Sequence, residues 1–201
     1  MASNAGRLDI YNMALGWVGT RTVASPNENC AEARACELYW DRARRSALED
    51  FPYSFAQQRV KLALKELPPV YEGEWAYCYG LPNRCLKVRD VHGGRERGRK
   101  MPFRLQLEGK EVIILSDVPE AIAEITRDVE DISLWDELFV MAMARKLATL
   151  IHTPLMKNQP QKQQELEQLY AMAIPRATGQ DASESVGREH MDSWLTARGT
   201  W

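Results

Sequence analysis

Between Cys30 and Ala56 the chain reads CAEARACELYWDRARRSALEDFPYSFA, an alanine-rich amphipathic run that stops on an aromatic-proline exit. Just upstream, Ser25-Pro26-Asn27-Glu28 has the spacing of a capping box, with Pro26 at the first turn and Glu28 able to reach back. A helix over about 26–50 is therefore expected, ending at Phe51-Pro52 because proline disfavours helical backbone in the residue before it. Its buried face is read as Ala31, Ala35, Leu38, Tyr39, Ala43 and Ala47, with Asp41, Arg45 and Glu49 as a charge ladder toward solvent. Alanines at so many positions let another helix come close, which commits this part of the chain to a bundle.

Three further helices are expected. Leu8, Tyr11, Leu15 and Val18 make one stripe on a first helix, about 5–18, that Gly19 can end. Ser133 is placed as the cap of a helix over about 134–152, with Pro154 stopping it beyond Ile151. Residues 138–144 are apolar on all sides, so that helix is read as central. The fourth, about 159–174, carries a narrow stripe of Leu166, Leu169, Tyr170 and Ala173 and is closed by Pro175.

Between the second and third helices the period changes from 3.6 to 2. Trp75, Tyr77 and Tyr79, then Leu86, Val88 and Val91, alternate with smaller or polar residues. Residues 103–115 read as a hairpin around Glu108-Gly109-Lys110, and Ile122–Val129 as a further strand. The fold class that follows is α+β: a helical bundle formed by N- and C-terminal helices with a central antiparallel β-sheet layer over about 70–129. A chain of 201 residues can bury one sizeable core, so residues 1–178 are expected to form a single domain. Residues 179–201 read as a flexible tail with hydrophobic anchors at Trp194, Leu195 and Trp201.

Composition narrows the function classes. A formal net charge of -2 gives no global attraction to nucleic acid or membrane. The longest apolar run, Leu138–Ala144, is far short of the roughly 20 residues that span a bilayer. Cys30, Cys36, Cys78 and Cys85 show no CxxC spacing and no leader precedes them, which fits synthesis in a reducing cytosol. Cys30 and Cys36 fall on nearly opposite helix faces and read as packing residues.

Signs of chemistry are weak. Gly93, Gly94 and Gly98 do not make a phosphate-binding fingerprint. Cys78, Cys85 and His92 stand seven residues apart in succession, but a structural zinc site wants four ligands with tighter pairing. His152, at a helix end, is read as a partner of the macrodipole. No catalytic residue, cofactor or metal is expected, and the chain is not read as an enzyme.

Charge is local instead. Arg95, Arg97, Arg99 and Lys100 in HGGRERGRK, flanked by Arg89 and Arg104, form a glycine-rich basic loop. Such a loop either touches phosphates without regard to sequence or is a solvated hairpin tip that keeps edge strands apart. Arg34, Arg42, Arg44 and Arg45 either make a nucleic-acid-binding helix or, the favoured reading, pair with Glu32, Asp41 and Glu49 or with acids of another subunit. Arg145 and Lys146 interrupt an apolar helix and require solvent or a carboxylate, which a subunit interface would supply. Trp194, Leu195, Arg198 and Trp201 combine residue types that dominate binding hot spots.

Three passages resemble the tail tubular protein A, or head-to-tail connector adaptor, family of short-tailed bacteriophages: LDIYNMALGWVG, CAEARACELYWDRARRSALEDFPYSFAQQRVKLAL and ISLWDELFVMAMARKLATLIHTPL. The likeness covers roughly residues 5–175, and the aromatic exit from Phe51 to Ala56 is its most diagnostic part; Tyr53 stands where the family is expected to prefer tryptophan. The resemblance implies a phage or prophage virion protein made in the host bacterial cytoplasm and placed at the head-tail junction. It implies a ring of identical subunits, commonly twelve, docked on the portal ring, receiving a tail nozzle of the tail tubular protein B type and passing genomic DNA non-specifically through its channel. Arg95, Arg97, Arg99 and Lys100 then become DNA-channel candidates, and Arg42, Arg45, Arg145, Trp194, Leu195, Arg198 and Trp201 candidates for the portal or subunit interface. The alternative is a DNA-binding regulator that uses the basic loop 92–104.

Overall fold

A computed structural model describes the backbone of residues 6–93, 100–156 and 159–185, and the side chains through residue 174. In chain order the elements are α1 (Arg7–Val18), α2 (Ala31–Asp50), β1 (Gln57–Lys61), β2 (Leu64–Lys65), β3 (Tyr77–Gly80), β4 (Cys85–His92), β5 (Lys100–Met101), β6 (Phe103–Glu108), β7 (Glu111–Ser116), β8 (Ile122–Arg127), α3 (Glu137–Met156) and α4 (Pro160–Ser185). The architecture is α+β, and the contacts separate it into two compact units. One takes the chain up to Ser54 and again from Asp131 onward; the other is Phe55–Glu130.

In the helical unit α3 is the centre, packing against α1, α2 and α4. Phe139, Val140, Ala142, Met143, Ala144, Leu147 and Ala148 are all fully buried, as the all-round apolar run requires. Trp135, just before α3, stacks on Trp40 of α2 at 5.9 Å and meets Phe139 edge-on at 4.8 Å. Tyr53 meets Phe139 in the same way, so the aromatic exit after α2 is a packing device. Gly19 ends α1 in the left-handed region, φ 87°, where a side chain would be strained.

Helix boundaries depart from expectation where caps decide them. Ser25 and Glu28 form a local turn: the Asn27 N–H donates to Ser25 Oγ at 3.3 Å, and Glu28 Oε2 accepts from Ala24 N–H at 2.8 Å. The helix begins at Ala31, capped by the Cys30 thiol, whose sulfur accepts from Ala33 N–H at 3.4 Å. Ser133 sits in a short 3-10 turn whose cap is Asp131, and α3 is instead capped by Asp136, accepting from Phe139 N–H at 2.6 Å. Pro154 lies inside the last turn of α3, and α4 continues past Pro175 to Ser185, so residues 179–185 are helix and not tail.

The second unit is two four-stranded antiparallel sheets, not the one layer expected, and its strands start at Gln57 rather than near residue 70. Their orders are β1-β8-β4-β5 and β2-β3-β7-β6. The chain changes sheets four times: at Leu62-Ala63 between β1 and β2, over 81–84 between β3 and β4, at Pro102 between β5 and β6, and over 117–121 between β7 and β8. Leu62, Tyr79, Val88, Val91, Ile114, Val118, Ala121, Ala123 and Ile125, drawn from both sheets, fill one shared core. On the outer face of the second sheet, Cys78, Ile113 and Leu115 are covered by Leu67, Tyr71 and Trp75. The hairpin of β6 and β7 closes on Glu108 opposite Glu111, with Gly109 at φ 60°.

Candidate functional site

The outward side of α2 carries the first candidate surface. The buried positions are Ala33, Ala35, Cys36, Trp40, Ala43, Arg44, Ala47 and Leu48. Leu38, expected in the core, is 74% exposed, and Ala31 is exposed as well. Trp40 fixes that rotation by filling the space between Tyr11 and Trp135, at 5.4 Å and 5.9 Å. Arg34 and Arg42 lie one turn to either side of Leu38, so a bare apolar side chain is flanked by two exposed guanidinium groups. Among the described residues Arg42 makes no ion pair, whereas Arg34 bonds the Asn29 side chain. A groove of about 440 Å³ beside Leu38 is lined by Asn27, Glu28, Arg34 and Glu37. Arg45 is exposed on the same helix. Arg44 is buried and reaches Asp41 at 3.2 Å, so it does not belong to the solvent face.

The second candidate, the basic loop, joins β4 to β5 as a hairpin, with His92 opposite Lys100. Arg95, Arg97 and Arg99 lie outside the described residues. Their described neighbours are compensated: Lys100 meets Asp90 at 2.8 Å, Arg104 meets Glu74 at 3.2 Å, and Arg89 Nε donates to Thr126 Oγ1 at 2.8 Å. The Asp90 carboxylate also raises the Lys100 ammonium above its ordinary value, keeping it charged.

Arg145 and Lys146 find partners within the chain, so a subunit interface is not needed to supply them. Arg145 donates to the Leu169 carbonyl at 3.3 Å and lies over the Trp17 ring at 5.2 Å. Lys146 meets Asp50 at 3.0 Å and lies over the Tyr170 ring at 4.4 Å, while Tyr170 donates to the same carboxylate at 2.7 Å. His152 is not a helix cap: it is buried, α3 runs on past it, and neither ring nitrogen has a hydrogen-bond partner among the described residues. Trp194, Leu195, Arg198 and Trp201 lie outside the described residues.

The candidate residues for metal or thiol chemistry are dispersed. Cys78 belongs to the outer cluster of the second sheet and Cys85 packs on the core between the sheets. His92 faces Glu124 at 3.8 Å. Burial pushes the Cys36 thiol up to about 12 and the Cys85 thiol up to about 11, and it raises Cys78 too, so these thiols stay protonated and are poor nucleophiles at neutral pH. Among the described residues no group of three potential metal ligands gathers, and no helix is long and apolar enough to cross a membrane.

The sequence reading also missed a third exposed patch. Leu105, Leu107 and Val112, on β6 and β7, are open to solvent near the hairpin turn. Alternation gives the face of the strand on which each residue stands, but not how far the opposing sheet extends to cover it. Neither a comparison with models of protein families nor a search of curated proteins finds a match.

Proposed function

We propose that this chain is a structural virion protein, a head-to-tail connector adaptor that docks on a portal ring, joins the tail nozzle and lines part of the DNA channel. What carries the reading is the architecture together with the resemblance: a helical unit built from both ends of the chain, with a β unit from its middle, fits the helical bundle with a β-sheet part that members of the resembled family build. The surface that supports it is α2, the helix that leads into the most diagnostic passage, which leaves Leu38 bare between Arg34 and Arg42 beside a groove. Arginine is enriched at binding hot spots, and Leu38 adds apolar area beside two arginines.

In this role Arg42 and Arg45 meet the portal or a sister subunit in a ring of about twelve, a number the resemblance supplies. The basic loop, with Lys100 at its base, faces DNA without reading sequence. Chemistry is not required: the protein works by binding.

The test is to mix the purified protein with its cognate portal ring and to follow mass by light scattering and shape by electron microscopy. Stoichiometric joining to the ring, weakened by Leu38→Asp with Arg42→Glu, is expected. A protein that never joins the ring, or an isolated subunit that binds short DNA duplexes tightly and loses them steeply with salt, overturns the adaptor reading in favour of a regulator.

A further inference from the structure

We propose that the β6 edge is a self-complementary docking strand, by which two copies of this chain pair antiparallel into a two-fold dimer. Among the described residues β6 is at the rim of its sheet, hydrogen-bonded to β7 on one side only. A two-residue turn closes the hairpin, with Gly109 first and at positive φ, so Glu108 and Glu111 are a hydrogen-bonded pair. Every second residue then repeats that pattern, and the backbone groups of Leu105 and Leu107 point away from β7 to the open edge.

Side chains select the partner. Arg104 and Glu108 stand on the outer face, Leu105 and Leu107 on the face shared with Val112. In a two-fold pairing centred on Gln106, Leu105 of one copy is opposite Leu107 of the other, and both have the outward backbone groups that the new ladder needs. The same register sets Arg104 opposite Glu108 of the other copy, twice by symmetry. Shifting by two residues in either direction keeps the backbone pattern but separates the opposite charges, so one register is singled out. It would cover Leu107, now 63% exposed, and Leu105, now 45% exposed.

The other long edge shows the contrast. β1, at the rim of the first sheet, displays Arg59 and Lys61 on adjacent same-face positions, paired to Glu124 and Glu120 of its own chain. Two copies of that strand would bring cations together, the usual guard against edge pairing. β6 lacks this guard and carries one charge of each sign. A two-fold contact of this kind is closed, unlike the head-to-tail contacts of a ring, so the inference does not depend on the adaptor reading.

Sedimentation equilibrium of the full chain across a concentration series tests it. A monomer-dimer equilibrium is expected, with Glu108→Arg raising the dissociation constant by at least about tenfold, since two opposite-charge pairs become like-charge pairs. Arg104→Glu does the same but also removes the Glu74 contact, and the double exchange R104E/E108R restores dimerisation to within about threefold of the parent. Leu107→Lys, at an exposed position, abolishes it. Circular dichroism confirms that each variant is folded, and amide exchange at Leu105 and Leu107 slows as concentration rises. A parent that stays monomeric throughout, a dimer indifferent to Glu108→Arg, or a double exchange that fails to recover the dimer overturns the proposal.

Discussion

The two units solve opposite problems with polar groups. In the helical unit charges are drawn between helices and held by specific partners. Arg7 contacts Glu37 at 2.7 Å, donates to the Tyr11 hydroxyl at 3.1 Å and covers the Trp40 ring at 4.7 Å, while Asp50 gathers Lys146 and Tyr170. In the β unit the ion pairs stay on the rims and the interior between the sheets is almost wholly apolar. The bundle therefore depends on specific polar pairs as well as burial, whereas the sheets depend on burial and strand register and leave apolar side chains over at Leu64, Leu105, Leu107 and Val112. Polar pairs inside a bundle fix which helix faces which; a sandwich gets its order from strand register and can afford bare edges for partners.

The largest expected effects test whether the two units are also separate in energy. Trp135→Ala removes a fully buried ring from between Trp40 and Phe139 and is expected to cost about 3–5 kcal/mol. Ile114→Ala, in the core of the sheets, is expected to cost about 2–4 kcal/mol. Urea unfolding gives the totals and amide exchange gives the location. Trp135→Ala should speed exchange in α1, α2 and α3 before β3, β7 and β8, and Ile114→Ala the reverse; equal acceleration everywhere would show that the division is geometric only.

Next in size is the three-helix staple at Asp50. Tyr170→Phe deletes a hydrogen bond to a carboxylate, and a loss of about 1.5 kcal/mol is expected in the same urea measurement. Burial, then the bonds to Asp50 and Glu37, raise the Tyr170 and Tyr11 hydroxyls above the ordinary tyrosine value of 10.0. Above about pH 10 the unfolded chain releases protons that the native state keeps, so stability present at lower pH is lost as pH rises. Tyr79 in the β unit is raised by burial too, but backbone bonds at Ala121 and Glu120 pull it back. The alkaline decline should therefore be flatter in Tyr170→Phe; an unchanged slope would remove the staple from the account.

What could be read from the chain follows the same division. Periodicity alone locates α1, α3 and the β6-β7 hairpin, because bulky residues at Leu15, Phe139 and Ile114 leave one workable face. The rotation of α2 was misjudged because its alanines stand on every side and say little; Trp40 and Leu48 set the face and expose Leu38. The four sheet changes, the shortest of them at Leu62-Ala63 and Pro102, have no periodic signature, so periodicity leads to one layer where two exist. Of the candidate sites, the exposure of Arg42 and Arg45 on α2 is legible from charge, while the settings of Arg145 and Lys146 are not, since their partners Leu169 and Asp50 are distant in sequence.

The smallest predictions concern the caps, which sequence reading placed at Ser25 and Ser133 and the fold places at Cys30 and Asp136. Asp136→Ala should cost about 1 kcal/mol, because a carboxylate bonded to the Phe139 N–H is lost from a helix start. At Cys30 the sign reverses. Sulfur is a weak acceptor, and at 3.4 Å from the Ala33 nitrogen it caps α2 less well than an oxygen would. Cys30→Ser keeps the extended backbone that the position already has, φ -138°, and offers the stronger acceptor, so a gain of a few tenths of a kcal/mol is expected. Cys30→Ala, lacking any acceptor, should fall below both. Thermal unfolding that ranks the three as Ser above Cys above Ala supports a helix that begins at Ala31; no difference among them would mean that α2 is started elsewhere, and the Ser25 turn would have to be reconsidered as its true origin.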